Sequence, residues 1–173
     1  MNISHENFTL ELENEDLVFW NELELGEKDH KKLLRALTYS LHEYLNREAV
    51  IMPSQFILNC HYCRTNEVKE LNRQYRGKDK DTDVLSFPLF ENLEELTEAV
   101  PAILGDIYIS IDQAQIQAKE FDIDLSSELI HLIIHGFFHL IGYDHERSSE
   151  EEKLMSELEQ TMVKRVQNTY SRI

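Results

Sequence analysis

Apolar and polar residues alternate with a period of two in short stretches of this chain, and with a period near 3.6 in longer ones. Phe8 to Leu12 alternates and predicts a first strand. Leu33, Leu34, Leu37, Leu41, Tyr44 and Leu45 fall on one helical stripe and predict a helix over residues 28–46. Phe56 to Tyr62, entered through Pro53 and Ser54, reads as a strand. Thr65 or Asn66 is placed to cap a helix reaching about Tyr75, and Glu67 in its first turn suits the dipole. Arg76 to Asp81 is a polar loop, and Val84 to Leu89 is a strand that Pro88 pushes toward an edge or a strand end. Glu91 to Val100 is acidic and poorly patterned, which predicts a loop or a short excursion. Ile103 to Ile111 reads as a strand and Asp112 to Phe121 as a helix. Ser126 or Ser127 is placed to cap an apolar helix with Glu128 in its first turn. Ser148 or Ser149 opens a last amphipathic helix with Met155, Leu158, Met162 and Val166 on one face. Strands and helices mix without strict βαβ alternation. The expectation is one α+β domain over residues 1–173, a small mixed β-sheet of about four strands packed with helices.

Composition adds bounds. A chain that is 42% apolar and 29% charged is that of a soluble globular protein. Met1 to Glu6 has neither a basic nor an apolar leader segment, and the most apolar stretch, Leu129 to Tyr143, is too short to span a bilayer. A cytoplasmic protein with two reduced cysteines and no membrane partner is therefore expected. The formal charge of −16 argues against indiscriminate binding to nucleic acid or anionic membrane. A local exception exists: Arg64, Lys69, Arg73, Arg76, Lys78 and Lys80 stand against Glu67, Glu70 and Asp79. From composition alone this is a solvated helix face and a charged loop.

Three histidines change the picture. His135 and His139 stand at i and i+4, so they share one helix face one turn apart. Gly142 permits a left-handed turn that can bring His145 back as a third ligand. The metal site is thus expected on a helix and the turn that follows it. Three imidazoles leave a fourth tetrahedral position open, the arrangement of catalytic rather than structural zinc. One zinc ion per chain is the expected cofactor, although nickel, copper and iron also accept imidazole. His131, at i−4 from His135, is read as packing or support. The spacing is that of the long zinc-protease signature His-Glu-x-x-His-x-x-Gly-x-x-His, with Gly136 where those proteases carry their glutamate base. Glycine takes no proton, so a base would come from Asp144, Glu146 or Asp106; Asp144 can instead orient a ligand imidazole. Cys60 and Cys63 form a Cys-x-x-Cys pair, but three residues apart on a strand they point to opposite faces and read as inert.

His135-Gly136-Phe137-Phe138-His139-Leu140-Ile141-Gly142-Tyr143-Asp144-His145 resembles, position for position, the signature of the YbeY family of bacterial endoribonucleases, His-Gly-x-x-His-Leu-x-Gly-Tyr-Asp-His. Leu71-Asn72, Tyr75-Arg76-Gly77-Lys78-Asp79-Lys80 and Thr82-Asp83-Val84-Leu85-Ser86-Phe87-Pro88 resemble the family's central block. Leu104-Gly105-Asp106-Ile107 with Ile109-Ser110 is similar to its Gly-Asp-Ile strand. The resemblance implies a single-metal hydrolase, usually assigned zinc, in a cleft beside the sheet of an α+β fold. It implies a single-strand-specific endoribonuclease acting in 16S rRNA 3′-end maturation and ribosome quality control, with ribosomal RNA and the small ribosomal subunit as partners. It makes Arg73, Arg76, Lys78 and Lys80 a candidate RNA-binding rim. The family's functional arginine, on the strand before the Leu-Asn block, falls on His61, with Arg64 three residues on. His61, Arg64 and Asp144 are accordingly the candidate catalytic residues, although histidine lacks the permanent charge and planar fork of arginine. Two other readings stay open: a metal-stabilised ribosome assembly factor without essential catalysis, and a metal-dependent hydrolase of peptides or small molecules.

Overall fold

The computed structural model describes residues 1–13, 26–49, 51–96 and 100–173. Most of the acidic run from Glu11 to Glu27, and residues 97–99 of the Glu91–Val100 segment, lie outside them. Among the described residues are five strands: β1 (Asn2–His5), β2 (Phe8–Glu13), β3 (Phe56–Cys63), β4 (Val84–Pro88) and β5 (Ala102–Ser110). They are joined by α1 (Glu27–Glu48), α2 (Thr65–Arg76), α3 (Ile111–Glu120), α4 (Leu125–Leu140) and α5 (Ser149–Arg172), with one 3₁₀ turn at Leu93–Glu95. The class is the expected α+β, but the sheet has five strands rather than about four. The additional strand is β1, whose residues alternate exposed and half-buried without an apolar run. Pairing with β2 holds it, from Asn2↔Glu11 to His5↔Phe8.

The strand order is β1-β2-β3-β5-β4. β2, β3 and β5 run parallel at the centre, and an antiparallel strand closes each edge. Alternation sorts the side chains into two faces. Phe8, Leu10 and Leu12, then Phe56, Leu58, Cys60 and Tyr62, then Ile107 and Ile109 bury on one face. α1 and α4 pack against this face, and α5 lies across both helices. α2 lies against β4 and β5, where Tyr75 meets Phe87 edge-on at 5.3 Å on the opposite face. α4 is apolar nearly all round because β4, β5, α1, α3 and α5 surround it.

Three helix starts differ from expectation. Asp124, not Ser126 or Ser127, caps α4: its carboxylate accepts the Ser127 N–H at 2.8 Å and the Ser127 hydroxyl at 2.9 Å. A carboxylate is also the better partner for a helix N-terminus. Arg64 precedes α2 and donates its N–H to Glu67, so Thr65 is the first helical residue. α3 begins at Ile111, one residue before the expected Asp112, with Ser110 as cap. Ser148 caps α5 as one of the two expected residues. No helix among the described residues is long and apolar enough to cross a membrane.

Candidate metal centre

α4 approaches β5 closely at Gly136. A Cβ there would stand 2.8 Å from two carbons of the Ile107 side chain. A larger residue after His135 would force the Ile107 side chain to move, so packing between helix and sheet favours glycine over a glutamate here. α4 then ends at Leu140, with the Gly142 N–H bonded to the His139 carbonyl and the Tyr143 N–H to that of Phe138. Gly142 takes φ +100°, and a Cβ on it would stand 2.5 Å from the Glu91 carbonyl oxygen. Conformation and space both require glycine here.

This turn returns His145 to the first two histidines. One ring nitrogen from each of His135, His139 and His145 lies within 4.8 Å of the others. The Nε2 atoms of His135 and His139 are 3.2 Å apart. The opposite nitrogens are tied back: His135 Nδ1 lies 2.7 Å from Glu159 Oε1 on α5, and His139 Nδ1 donates to the Tyr143 carbonyl at 3.0 Å. Such bonds fix the tautomer and turn Nε2 toward the shared centre. Burial, helped by the neighbouring His135 and His145, pushes the His139 imidazole down to about 4, so it is neutral near pH 7. Imidazole nitrogens converging from three sides, two of them with the opposite nitrogen held, are a donor set suited to a tetrahedral transition-metal ion. The three residues fit such an ion.

The histidines open on a cleft of about 1190 Å³. β4 and the loop after α2 form one wall, and residues 142–147 form the other. Arg76, Lys78, Lys80 and Arg147 line it, together with acidic groups including Asp81, Asp83, Asp144 and Glu146. Arg76 Nη2 is anchored on the Ser86 carbonyl at 3.4 Å. Lys78 reaches across to Glu146 at 3.8 Å. Asp144 accepts the Glu146 N–H at 2.8 Å and pairs with Arg147 Nε at 3.1 Å. The Glu146 N–H, and then the Arg147 charge, hold this carboxyl below the usual aspartate range.

The sequence candidates therefore separate. Asp144, Arg76, Lys78 and Lys80 share the cleft with the three histidines. Arg73 is outside it, forked onto Glu70 at 2.9 and 2.5 Å. Arg64 is also outside and bonds Asp112 at 3.0 Å. His61 occupies the far face of the sheet. It pairs with Tyr108, whereas Cys60 pairs with Ile107, the residue that meets Gly136. Its Nε2 is 2.8 Å from Asp106 Oδ1, and its ring stacks on Tyr108 at 4.3 Å. Asp106 is thereby placed away from the histidines as well. His131 faces Glu128 at 3.9 Å rather than joining the cluster. Cys60 is buried, which pushes its thiol well up and leaves it unreactive, while half-buried Cys63 lies on the opposite face of β3.

Sequence reasoning passed over two participants. Glu159 was detectable only as an acid interrupting the apolar stripe of Met155, Leu158, Met162 and Val166. Arg147 stands in the charged stretch after His145, where no spacing rule singles it out.

Comparison with known proteins agrees with this geometry. The family described as Endoribonuclease YbeY matches residues 20–167. The Endoribonuclease YbeY of Persephonella marina is 38% identical over 150 residues, 86% of this chain and 92% of that one. Its counterpart in Aquifex aeolicus is 52% identical over 93 residues, 54% of this chain and 59% of that one. The solution structure of a Thermotoga maritima protein aligns with a TM-score of 0.59 at 32% identity, covering 94% of this chain and 92% of that one. The chain belongs to the endoribonuclease YbeY family.

Proposed function

We propose that this protein is a single-strand-specific, metal-dependent endoribonuclease that matures the 3′ end of 16S rRNA and serves ribosome quality control. The observation that carries the reading is the meeting of three clustered histidines with four cations in one cleft of a YbeY-family enzyme. His135, His139 and His145 would hold one divalent transition ion, zinc by preference. Such an ion, when bound, polarises a phosphoryl oxygen and makes water acidic. The chain's own residues supply the rest. Glu159 and the Tyr143 carbonyl hold the rings in line. Arg76, Lys78 and Lys80 offset phosphate charge along one wall. Asp144, held ionised by its two partners, fixes the loop rather than accepting a proton.

The edge of β4 favours a polynucleotide over a peptide. The Ser110 N–H bonds the Asp83 carbonyl and the Leu89 N–H bonds the Leu104 carbonyl. Odd-numbered residues of β4 therefore face β5, and Val84, Ser86 and Pro88 turn their main-chain groups outward. Thr82 occupies the Val84 carbonyl, Asp83 the Val84 N–H and Arg76 the Ser86 carbonyl, and Pro88 has no N–H. An extended peptide docks by taking such bonds from an open edge; little of this edge is open.

The test is His139→Ala, assayed on single-stranded and duplex RNA and on peptides. The expected result is a folded protein that has lost cleavage of single-stranded RNA. Normal 16S rRNA 3′ ends in cells carrying only this variant would instead establish the assembly-factor role, and wild-type hydrolysis of peptides but not RNA would establish the third reading.

A further inference from the structure

We infer that Arg147 is the residue that grips a substrate phosphodiester in this cleft, and that Asp144 is its positioning residue; the inference rests on the ribonuclease reading above. The cations of the chain differ sharply in what already holds them. Arg64 is bonded to Asp112, and Arg73 is forked onto Glu70, both outside the cleft. Lys69 lies 3.1 Å from Asp81. Within the cleft, Arg76 gives Nη2 to the Ser86 carbonyl, and Lys78 and Lys80 offer single ammonium groups without the planar fork, so they add charge rather than a two-point grip. Arg147 lines the same cleft two residues after His145.

Its fixation suits a phosphate. Asp144 takes Nε at 3.1 Å, and Glu151 lies 3.8 Å from Nη1. The side chain is nonetheless 60% exposed. Asp144 is itself anchored by the Glu146 N–H, so the guanidinium is tethered through one nitrogen to a rigid turn. A guanidinium held at Nε keeps its terminal nitrogens in the planar fork that matches two phosphate oxygens. The neighbouring Glu151 and Asp144 offset part of the positive charge, so the grip rests on the two-point match between the guanidinium fork and a phosphodiester's two free oxygens rather than on charge alone. A ligand whose phosphate lies on Arg147 is thereby positioned beside the ligand histidine on the same loop. This gives the cleft an arginine on the histidine side and lysines, Lys78 and Lys80, on the other, so that the RNA backbone runs between them.

The experiment compares wild type, Arg147→Ala, Arg147→Lys and Asp144→Asn, with Lys153→Ala as a charge-matched control outside the cleft. Metal affinity is measured by chelator competition, binding of a single-stranded RNA oligonucleotide by anisotropy on metal-free protein, and cleavage on zinc-loaded protein. Arg147→Ala should weaken RNA binding about 10- to 100-fold. It should lower the slope of log K against log salt by about 0.7, one phosphate contact, and leave metal affinity within about twofold of wild type. Arg147→Lys should restore the salt slope but not the full affinity, and Asp144→Asn should fall between. Unchanged binding, slope and cleavage in Arg147→Ala overturn the inference. So does a loss of metal affinity that matches the loss of cleavage, because the residue would then act only through the loop. If wild type itself neither binds nor cuts RNA, the ribonuclease reading fails first and Arg147 falls with it.

Discussion

Glu159 contributes to the metal centre without facing an ion. Its carboxylate 2.7 Å from His135 Nδ1 sets which nitrogen of that ring points inward. Glu159→Gln should lower zinc affinity about 10- to 100-fold, read by chelator competition, with little change in the melting temperature. Gly142 acts through the backbone instead. Gly142→Ala should cost about 1–3 kcal/mol in chemical denaturation, because φ +100° and the Glu91 carbonyl at 2.5 Å both oppose a Cβ. An alanine variant as stable as wild type would show that the turn does not need glycine. At this scale the three histidines were legible because all lie within one helix and its exit, where local geometry decides who meets whom. Glu159 was not, since 24 residues separate it from His135 and only helix packing joins them.

Among the elements, α4 shows how far a pattern reaches. Its apolar run announced a buried helix, and its start was placed within a turn, yet the cap fell on Asp124. Three capping residues crowd together at Asp124, Ser126 and Ser127, and the incoming turn, where Asp122 takes φ +53°, chooses among them. Asp124→Ala should cost about 1 kcal/mol of stability in denaturant titration, and Ser126→Ala close to nothing. β1 escaped notice for a different reason: a four-residue edge strand with one half-buried apolar residue, Ile3, owes its form to β2 rather than to its own pattern. The helices were legible wherever a stripe was long, as along α1 and α5.

The faces of the whole sheet depend on pairing that no local pattern carries. β5 lies between β3 and β4, and the ladder with β3 shifts register as Ile57↔Ile103 gives way to Leu58↔Gly105. That shift fixes the parity that puts Ile107 under α4 and Asp106 with His61 on the far side. Spacing could therefore gather His61 and Asp106 as candidates but not exclude them from the cleft. The same tertiary burial governs the response to acid. His30 on α1 is fully buried against Tyr62, 3.0 Å from its hydroxyl, and burial pushes the imidazole down to about 4. The unfolded chain takes up a proton near 6.5 that the folded chain refuses, so this contribution to stability is complete above that pH and is lost as pH falls toward 4. Metal-free protein should lose on the order of 1 kcal/mol per pH unit across this window from His30, with His139 adding to the slope in the same direction, read by denaturant titration at fixed ionic strength. A flat profile between pH 6.5 and 4 would contradict the burial of His30.

The side-chain plugs along β4 bear on more than substrate choice. An uncovered strand edge invites a second copy to zip onto it, and here that would seal the mouth of the cleft. With Thr82, Asp83, Arg76 and Pro88 occupying or removing most of the outward main-chain groups, crowded copies find little ladder to extend along β4. The plugs that turn away an extended peptide thus also guard the cleft against being closed by a second copy pairing along β4.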